Sequence, residues 1–420
     1  MKINIIGGGI IGLFSAYYLQ KEGYEVHIFD KTDFTEGCSY GNAGMITPSH
    51  FIPLAAPGVV AQGIRWMFDP ASPFYIKPRL DLELLQWLWK FYRSCNRRQA
   101  AAAMPVLLDF NLLGKKLYRE FAEETGLDFK LEERGILMLY QTPKKEKEEK
   151  ETAEAALRLG IETQIFDKKG VEGFETGTTV NALGGIYYPC DAHLYPNLLM
   201  RQLIGLLKKK GAYFHGKTSV TGFEFLGSRV TALIANGEKY GADAFVIAAG
   251  SWSAKLLAGL GLQLHLQDGK GYSITLKEPA GRPAYATILT EAKVAVTPMG
   301  DDLRLGGTLE LGGLSPRINQ PRVKAILDAI PRYYPNLKIE MPPTEKIWYG
   351  YRPCPPDGLP YIGRLKGFDN VVLATGHAMM GLSLGPATGR MVGDIFQEKQ
   401  LNKSYLCLFD PNRFSFSPTR

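Results

Sequence analysis

The first thirty residues contain a strand, a helix and a second strand in close succession. Residues 2–6 are rich in Ile, as in a buried parallel strand, and the sequence GGGIIG follows at once. The spacing of apolar residues over 13–21 predicts a helix, and residues 25–29 predict another strand, which ends at Asp30. A β–α–β unit with glycines in its first turn predicts a Rossmann-type nucleotide-binding domain.

Three glycines of this turn have separate physical roles. Gly7 allows a tight turn, Gly9 lets the backbone approach a pyrophosphate, and Gly12 lets the helix pack closely on the strand. The pyrophosphate then lies at the helix N-terminus, where free N–H groups and the helix dipole favour anions. Asp30 is placed to accept hydrogen bonds from ribose hydroxyls. The pattern predicts a dinucleotide site, with a glycine-rich turn that binds no ligand as the alternative.

Later segments favour FAD over NAD as the dinucleotide. Residues 218–235 predict a hairpin, 243–248 and 371–374 predict apolar strands, and a helix is predicted over 381–396. A second helix N-terminus directed at the ligand suits the flavin C2 carbonyl and N1, which gain negative charge on reduction. NAD has no group that needs this second helix.

The remaining segments predict a second domain that is largely an antiparallel sheet. Its helices are predicted around 81–125 and 145–158, and its strands at 135–141, 272–276, 293–298 and 304–310. We therefore predict an α/β plus α+β fold with the active site in the cleft between two domains. The predicted domains are a discontinuous FAD-binding domain at 1–49, 186–261 and 346–420, and a substrate-binding domain at 50–185 and 262–345.

Composition and charge exclude several classes of protein. The chain has 420 residues, of which 45% are hydrophobic and 22% charged, as in ordinary globular proteins. The net charge of +7 is scattered, and the densest basic segment, 144–150, is interleaved with Glu. This segment predicts a solvated helix face, and no nucleic-acid partner is expected. Five cysteines without a C-x-x-C pair favour a reducing compartment over disulfides or a metal site.

The sequence predicts a cytoplasmic protein without a transmembrane segment. No apolar run approaches the roughly 18–20 residues of a spanning helix, and the N-terminus runs into glycines instead of a signal-peptide pattern. One stretch leaves two interpretations open, because its aromatic residues suit either a buried core or a patch that faces a membrane or a quinone. This stretch, 63–92, contains Trp66, Met67, Phe68, Phe74, Tyr75, Trp87, Trp89 and Phe91.

Four segments carry a resemblance to a known family. They are IIGGGIIGLFSAYYLQKEGYEVHIFDK, CSYGNAGMITPSHFIPLAAPG, the pair KGYSITL and TILTEAKVAVTPMGDDLRLGGTLEL, and GYRPCPPDGLPYIG with TGHAMMGLSLGPATGRMVGDI. The chain resembles the FAD-dependent amine and D-amino-acid oxidoreductases, the family of D-amino-acid oxidase, glycine oxidase and bacterial D-amino-acid dehydrogenase. It looks most like the dehydrogenase branch, including its D-hydroxyproline-type members.

The resemblance implies a set of contacts with FAD. Asp30 and Lys31 would hold the adenosine ribose, and Val220 would bind adenine through its backbone. The contacts around the pyrophosphate, the nucleotide and the flavin would be made by Gly7, Gly9, Ile10, Ile11, Gly12, Cys38, Ser39, Asn42, Ala43, Gly44, Met45, Ala249, Gly250 and Trp252. The flavin ring would be enclosed by Gly376, His377, Ala378, Met379, Met380, Gly381, Leu382 and Ser383.

The resemblance also implies how substrate is held. Arg352 matches the arginine that pairs with the substrate carboxylate, and a guanidinium fork suits this role because it binds a carboxylate through two parallel hydrogen bonds. Glycine oxidases have a second arginine at the position of Met379 and a tyrosine at that of Ala295, so glycine and sarcosine are not the expected substrates. Sarcosine oxidases attach flavin through a cysteine at the position of Gly350, so FAD is expected to be non-covalent, and Cys354 is interpreted as a structural thiol.

The implied activity is that of an FAD-dependent D-amino-acid dehydrogenase, with a quinone or another non-oxygen acceptor. The alternatives are a D-proline or D-hydroxyproline dehydrogenase, an oxygen-using oxidase of a related secondary amine, and a flavin-bound protein without catalysis. A quinone acceptor would suit a peripheral position on the inner face of the cell membrane.

Two further residues are candidates for the catalytic pocket. The hydroxyl of Tyr272 could reach the substrate carboxylate, unless Tyr272 is a core tyrosine. His50 lies in a Pro-rich loop after the segment that would contact flavin, where a surface or packing role is the alternative. No obligatory general base is expected, since a flavin supplies the chemistry and the protein supplies orientation and electrostatics.

Overall fold

Two β-sheets form the frame of the molecule. The computed structural model describes residues 1–60, 72, 74–77, 79 and 81–414. Within these residues the first sheet contains six strands, of which five are parallel and only the edge strand Tyr361–Leu365 is antiparallel to its neighbour. The strands run, in spatial order, Tyr361–Leu365, Phe368–Thr375, Ala244–Ile247, Lys2–Ile6, Glu25–Phe29 and Tyr213–His215.

The second sheet is larger and mainly antiparallel. Nine described strands form it, and most residues of its two long strands, Gln267–Leu276 and Asp302–Leu311, are buried on both faces although several of them are polar. Eight of them run, in spatial order, Trp348–Cys354, Gln267–Leu276, Asp302–Leu311, Val294–Met299, Ala286–Leu289, Ile136–Tyr140, Gly184–Tyr188 and Gln164–Asp167, while Phe74–Ile76 pairs with Asp302–Leu311. The remaining strands form a meander at Val220–Leu226, Arg229–Ala235 and Glu238–Gly241 and a short pair at Met45–Ile46 and Ala192–His193.

The helices cover the outer faces of the two sheets. Side-chain caps begin several of them, as where Asp81 accepts from the N–H of Glu83 and Asn96 accepts from that of Gln99. The α-helices of the described residues are Ile10–Lys21, Leu82–Ser94, Arg97–Thr125, Pro143–Arg158, Lys168–Phe174, Pro196–Lys209, Ser253–Ala258, Gln320–Tyr333, Gly385–Phe396 and Lys403–Leu408, with 3₁₀ turns at Gly250–Trp252 and Thr344–Lys346.

The sheets and cores divide the chain differently from the predicted domain boundaries. Strand Trp348–Cys354 lies beyond the predicted boundary at 346, yet its hydrogen bonds join Gln267–Ser273 of the second sheet. Helix Arg97–Thr125 falls in the predicted substrate domain, yet Leu107 and Phe110 pack into the core of the first sheet. Both differences have the same cause, because periodicity identifies an element but not the layer against which the element packs.

Helix Ile10–Lys21 and helix Gly385–Phe396 approach each other at backbone distance. A Cβ at Gly389 would lie 2.5 Å from the carbonyl carbon of Phe14, and one at Gly385 would lie 3.0 Å from the side chain of Ile10. A side chain at either glycine is excluded, so the two helices pack closely beside the first sheet.

We expect Gly389→Ala to destabilise the fold by about 1–3 kcal/mol, because the added methyl group overpacks the contact with Phe14. Chemical unfolding of the two proteins measures the difference. The matched control is Gly205→Ala in helix Pro196–Lys209, where a Cβ meets no atom within 4 Å. That substitution should stabilise by up to about 1 kcal/mol. Equal effects of the two substitutions would contradict the packing argument.

Candidate active site

A cavity of about 410 Å³ extends from the carboxyl ends of the first-sheet strands to strand Trp348–Cys354 of the second sheet. Its near end is formed by the turn after strand Lys2–Ile6 and by Asp30, which follows the adjacent strand. Ligands of open α/β sheets bind at this edge, where the strand order reverses. The lining combines glycine backbone, apolar side chains and a few charged groups, a composition typical of a cofactor site.

The glycines of the N-terminal turn are required by backbone contacts. A Cβ at Gly7, whose φ is 113°, would lie 2.3 Å from the carbonyl oxygen of Ala248, and one at Gly12 would lie 1.9 Å from that of Gly7. At Gly9 the nearest atom would be Ser39 Oγ at 3.5 Å. Gly7 and Gly12 therefore fix the turn, whereas Gly9 presents open backbone at the helix N-terminus, where an anion binds well.

Asp30 is held at the end of its strand by backbone hydrogen bonds. Its Oδ2 accepts from the N–H of Gly8 at 2.7 Å, and its Oδ1 accepts from the N–H and the hydroxyl of Thr32, both at 2.8 Å. Because both oxygens are bound, the carboxylate has a fixed orientation at the cavity wall. Val220 lines the same end of the cavity.

Lys31 and Cys38 lie beside aromatic residues of the lining. The Nζ of Lys31 is 3.2 Å from the ring centre of Trp252, a cation–π contact, and burial lowers the pKa of Lys31. The Sγ of Cys38 accepts a hydrogen bond from the N–H of Tyr351 at 3.2 Å, and burial raises the pKa of this thiol. Trp252 and Tyr351 contact each other edge to face.

Arg352 extends into the cavity without an acidic partner. Its Nη1 donates to the carbonyl oxygen of Thr308, and no Asp or Glu of the described residues lies within 4 Å of the guanidinium. Burial lowers the pKa of this arginine, which nevertheless stays protonated at neutral pH. A Cβ at Gly271 would lie 2.2 Å from Nη1, so the guanidinium occupies space that only glycine leaves free. A charge of this kind is suited to an anionic ligand.

The loop from 376 to 383 closes the far end of the cavity. His377 Nε2 lies 2.9 Å from the hydroxyl of Thr388, and burial lowers the pKa of His377 to about 3, so its ring is neutral near pH 7. The N–H of Ala378, a residue with φ of 47°, donates to the carbonyl of Pro353 at 3.0 Å. Ser383 Oγ accepts from the N–H of Thr47 at 3.1 Å, which joins this loop to the segment after 45.

The cavity brings together most of the cofactor residues that the sequence predicts. Those that line it are Gly7, Gly9, Ile10, Ile11, Asp30, Lys31, Cys38, Ser39, Asn42, Val220, Ala249, Gly250, Trp252, His377, Ala378, Gly381 and Leu382, together with Arg352. Gly12, Ala43, Gly44, Met45, Gly376, Met379, Met380 and Ser383 are not among its lining residues. Gly12 lies beneath the turn, and Met379 is half exposed to solvent.

Tyr272 and His50, the other two catalytic candidates, do not line this cavity. Tyr272 is buried in the second sheet, where its hydroxyl accepts from the N–H of Asn319 at 3.2 Å and lies 3.4 Å from a carboxylate oxygen of Glu310. These contacts satisfy the hydroxyl and favour the core interpretation. The Nδ1 of His50 lies 3.3 Å from the hydroxyl of Ser49, and burial lowers the pKa of His50 to about 4.

A buried carboxylate lies behind His50. Asp191 accepts from the N–H of Ser49 at 2.9 Å and from its hydroxyl at 2.5 Å, so Ser49 links Asp191 to His50. Burial raises the pKa of Asp191 to about 6. Asp191 could not be predicted, because an isolated Asp after a turn carries no periodic or motif signal.

Some residues that do line the cavity were also not predicted. Tyr351 and Pro353 flank Arg352 in the sequence, so the motif around the arginine held a signal for them. Met200 lies inside helix Pro196–Lys209, where its position is indistinguishable from that of a core residue. Only the packing of that helix reveals its place in the wall.

Comparison with known proteins identifies the family. The model of the FAD dependent oxidoreductase family matches residues 2–395. The chain belongs to this family. A D-amino acid dehydrogenase of Granulibacter bethesdensis is 31% identical over 410 residues, which cover 96% of this chain and 97% of the relative. One from Neisseria meningitidis is 28% identical and covers 95% and 96%.

Solved structures share the fold. Glycine oxidase from Geobacillus kaustophilus superimposes with a TM-score of 0.77 at 24% identity and covers 98% of both chains. L-proline dehydrogenase from P. horikoshii superimposes with a TM-score of 0.73 at 19% identity, covering 98% of this chain and 97% of the other. The predicted fold class, a nucleotide-binding α/β domain with a second sheet domain, is therefore confirmed.

The cavity fits the FAD that this family uses. The open backbone at Gly9 leaves room for a pyrophosphate, and the carboxylate of Asp30 has the fixed orientation that a ribose contact requires. Within the described residues no group of His, Cys, Asp and Glu could hold a metal ion. No helix among them is both long and apolar enough to span a bilayer.

Asp191 makes stability depend on pH. Its pKa is raised on folding, which means that the folded state disfavours the ionised form. The contribution of Asp191 to the free energy of unfolding therefore falls as pH rises through about 4 to 6. Asp191→Asn cannot ionise. We therefore expect the melting temperature of the variant relative to wild type to be higher at pH 8 than at pH 4.5, as measured by thermal unfolding.

The control substitution is Asp33→Asn. Asp33 is exposed, and hydrogen bonds from Thr35 lower its pKa, so it is ionised at both pH values and the difference from wild type should change little between them. A difference for Asp191→Asn that does not change between the two pH values would exclude a raised pKa.

Proposed function

We propose that the protein is an FAD-dependent D-amino-acid dehydrogenase, which converts D-amino acids into 2-oxo acids and ammonia. The observation that carries the proposal is Arg352, a cavity-lining guanidinium without an acidic partner among the described residues. A carboxylate is the ligand that suits this group best, because it matches the fork with two charge-assisted hydrogen bonds. The relatives named D-amino acid dehydrogenase, which cover nearly the whole chain, support the same substrate class.

FAD bound in the cavity would supply the redox chemistry, which is acceptance of a hydride from the substrate Cα. In the proposed mechanism Arg352 binds the carboxylate and thereby limits the orientations of Cα. The ring of His377, which is bonded to Thr388, is neutral at neutral pH and helps to hold the 376–383 loop. Orientation and exclusion of water are therefore the contributions of the protein, and the substrate enters with a neutral amine.

The glycines beside Arg352 leave room for its side chain. Gly271 lies beneath the guanidinium, and Gly271 pairs in register with Gly350, above which the indole of Trp348 lies. A Cβ at Gly350 would be 2.1 Å from that indole. An arginine and a tryptophan thus extend over one strip of glycine backbone, and we propose that the indole limits the space beside the bound carboxylate.

The first experiment is anaerobic mixing of the FAD-loaded protein with D- and L-amino acids, D-proline, D-hydroxyproline, sarcosine and glycine. Loss of flavin absorbance with D-amino acids, which persists after air is admitted, would support the dehydrogenase. Selective bleaching by D-proline or D-hydroxyproline would favour the cyclic-substrate alternative. Recolouring in air with formation of peroxide would identify an oxidase. No bleaching by any amine would refute the proposal.

Displacement of the guanidinium tests the role of Arg352 without removing it. We expect Gly271→Ala to lower kcat/KM for the amino acid by on the order of tenfold to a hundredfold, because its methyl group overlaps Nη1. Arg352→Lys should raise KM further, since an ammonium group lacks the fork. Steady-state kinetics with an artificial acceptor measures both.

The control for the added methyl group is Gly222→Ala, where a Cβ would meet only Ile234 Cδ1 at 3.9 Å. This variant should keep the wild-type kinetics. If Gly271→Ala and Arg352→Lys also kept them, a substrate carboxylate would not bind at Arg352.

We further propose that electrons leave to a quinone at an anionic membrane surface. Helix Leu82–Ser94 is buried on one side through Trp87 and Phe91. The opposite face exposes large apolar side chains at helical spacing, and Trp89 and Tyr92 on it are each 61% exposed. The members of this face are Leu82, Leu85, Trp89 and Tyr92. Trp66, Met67 and Phe68 of the same sequence stretch lie outside the described residues.

Exposed basic residues come directly after the apolar face in the sequence, at the end of this helix and the start of helix Arg97–Thr125. Arg93, Arg97 and Arg98 are exposed there, which suits a surface of anionic lipids, to which each basic residue contributes about 1 kcal/mol. An apolar face with a basic border is the pattern of a segment that lies in the membrane interface.

We expect the protein to sediment with vesicles that contain phosphatidylserine more than with neutral phosphatidylcholine vesicles. Replacement of Trp89 and Tyr92 by Ser should abolish this binding while amine-dependent flavin bleaching is retained. The control is Leu226→Ser, which removes an apolar side chain that is 80% exposed on the distant meander. Equal sedimentation of all three proteins would refute the membrane surface proposal.

A further inference from the structure

Arg304 is a buried cation whose partners are all neutral. It belongs to strand Asp302–Leu311 and is 4% exposed. Its Nη1 donates to the carbonyl oxygens of both Tyr40 and Asn42 at 2.9 Å, its Nη2 to the side-chain oxygen of Asn197 at 2.8 Å, and its Nε to the hydroxyl of Thr275 at 3.0 Å. The guanidinium thus satisfies two backbone carbonyls of one short loop.

The nearest acidic group is already neutralised. Asp302 accepts from the Nζ of Lys277 at 2.6 Å and from the hydroxyl of Tyr195 at 2.7 Å. No Asp or Glu of the described residues forms an ion pair with Arg304, whose pKa is lowered to about 10 by burial. A buried charge without a counter-ion is costly, so the four hydrogen bonds that Arg304 donates have to offset the cost of its burial.

The loop held by Arg304 is the one that meets the cavity. Cys38, Ser39 and Asn42 of this loop line the cavity, and the loop leads to the strand that begins at Met45. The second sheet binds the carbonyl between the two that Arg304 holds, because Ser273 Oγ donates to Gly41 at 2.8 Å. Three consecutive carbonyls therefore point toward the second sheet.

The side chain of Trp348 fixes the same loop from another direction. A Cβ at Gly41 would lie 1.9 Å from its indole, so the loop backbone rests directly on the ring. Arg304, Ser273 and Trp348 come from three neighbouring strands of the second sheet. The position of the loop in the first-sheet cavity is thus set by the second sheet.

We propose that Arg304 is a positioning residue for FAD, which acts by holding loop 38–45 in the conformation that binds the cofactor. This proposal rests on the FAD site of the proposed function, but not on the substrate. Arg304 contacts no cavity space itself and works through the carbonyls of Tyr40 and Asn42. A single guanidinium can bridge both oxygens, whereas an ammonium group at a lysine cannot reproduce that fixed geometry.

The test compares Arg304→Met and Arg304→Lys with wild type in two measurements that need no substrate. The first is the dissociation constant of FAD, from flavin fluorescence on titration of the apoprotein. The second is the increase in melting temperature that saturating FAD gives, since a ligand stabilises the fold in proportion to the logarithm of its affinity. Amino-acid kinetics are measured separately, so a failure of the substrate proposal leaves this test intact.

We expect Arg304→Met to raise the dissociation constant of FAD by on the order of tenfold to a hundredfold, the loss expected for two charge-assisted hydrogen bonds. Arg304→Lys should give a smaller increase. Ser273→Ala, which removes only the donor to Gly41, is a milder variant should Arg304→Met not fold, and it should change the FAD affinity in the same direction.

The matched control is Arg322→Met. Arg322 is also a buried arginine, 3% exposed, but it donates to the carbonyl of Ser72 and has no hydrogen bond to loop 38–45. The Arg322→Met substitution should lower the melting temperatures of the apoprotein and of the FAD-loaded protein equally and leave the FAD affinity unchanged. The same behaviour in Arg304→Met, Arg304→Lys and Ser273→Ala would overturn the proposal and reduce Arg304 to a structural residue.

Discussion

The whole site depends on a contact between backbones at the first turn. Gly7 lies against the carbonyl of Ala248, and Gly12 lies against the carbonyl of Gly7, both at distances that no side chain allows. This contact brings the helix N-terminus to the edge of the sheet and leaves Gly9 facing the cavity. Other cavity residues lie around that turn, either after the adjacent strand, as Asp30 does, or across the cavity, as Arg352 does.

The first sheet contributes mainly glycine backbone to the site, whereas the second sheet contributes two charged side chains. Arg352 and Arg304 both extend from its strands, and neither has an acidic partner in the part of the chain that the structure describes. One guanidinium faces the cavity and the other holds the loop beside it. The guanidinium that faces the cavity without an acidic partner favours an anionic ligand there.

Much of this arrangement could be predicted from local sequence, and the exceptions share a physical origin. Strands Lys2–Ile6 and Glu25–Phe29 and the hairpin at Val220–Ala235 are confirmed, because short apolar runs between glycines determine them locally. The role of Arg304 could not be predicted, since its partners Tyr40 and Asn42 are more than 260 residues away in the chain. Tyr272 does not line the cavity, contrary to its prediction as a catalytic candidate. A strand pattern does not determine which groups the hydroxyl of a tyrosine will contact, and here it bonds to Asn319.

The order of strands in the first sheet bears on how the protein is made. Strand Lys2–Ile6 pairs with Ala244–Ile247, which in turn pairs with Phe368–Thr375. A ribosome releases these partners far apart in time, so the N-terminal strand keeps an open edge until more than half of the chain has been synthesised. Non-local pairing of this kind slows folding and exposes unpaired strands to aggregation. Strand Lys2–Ile6 therefore stays open to non-native pairing until Ala244–Ile247 has left the ribosome.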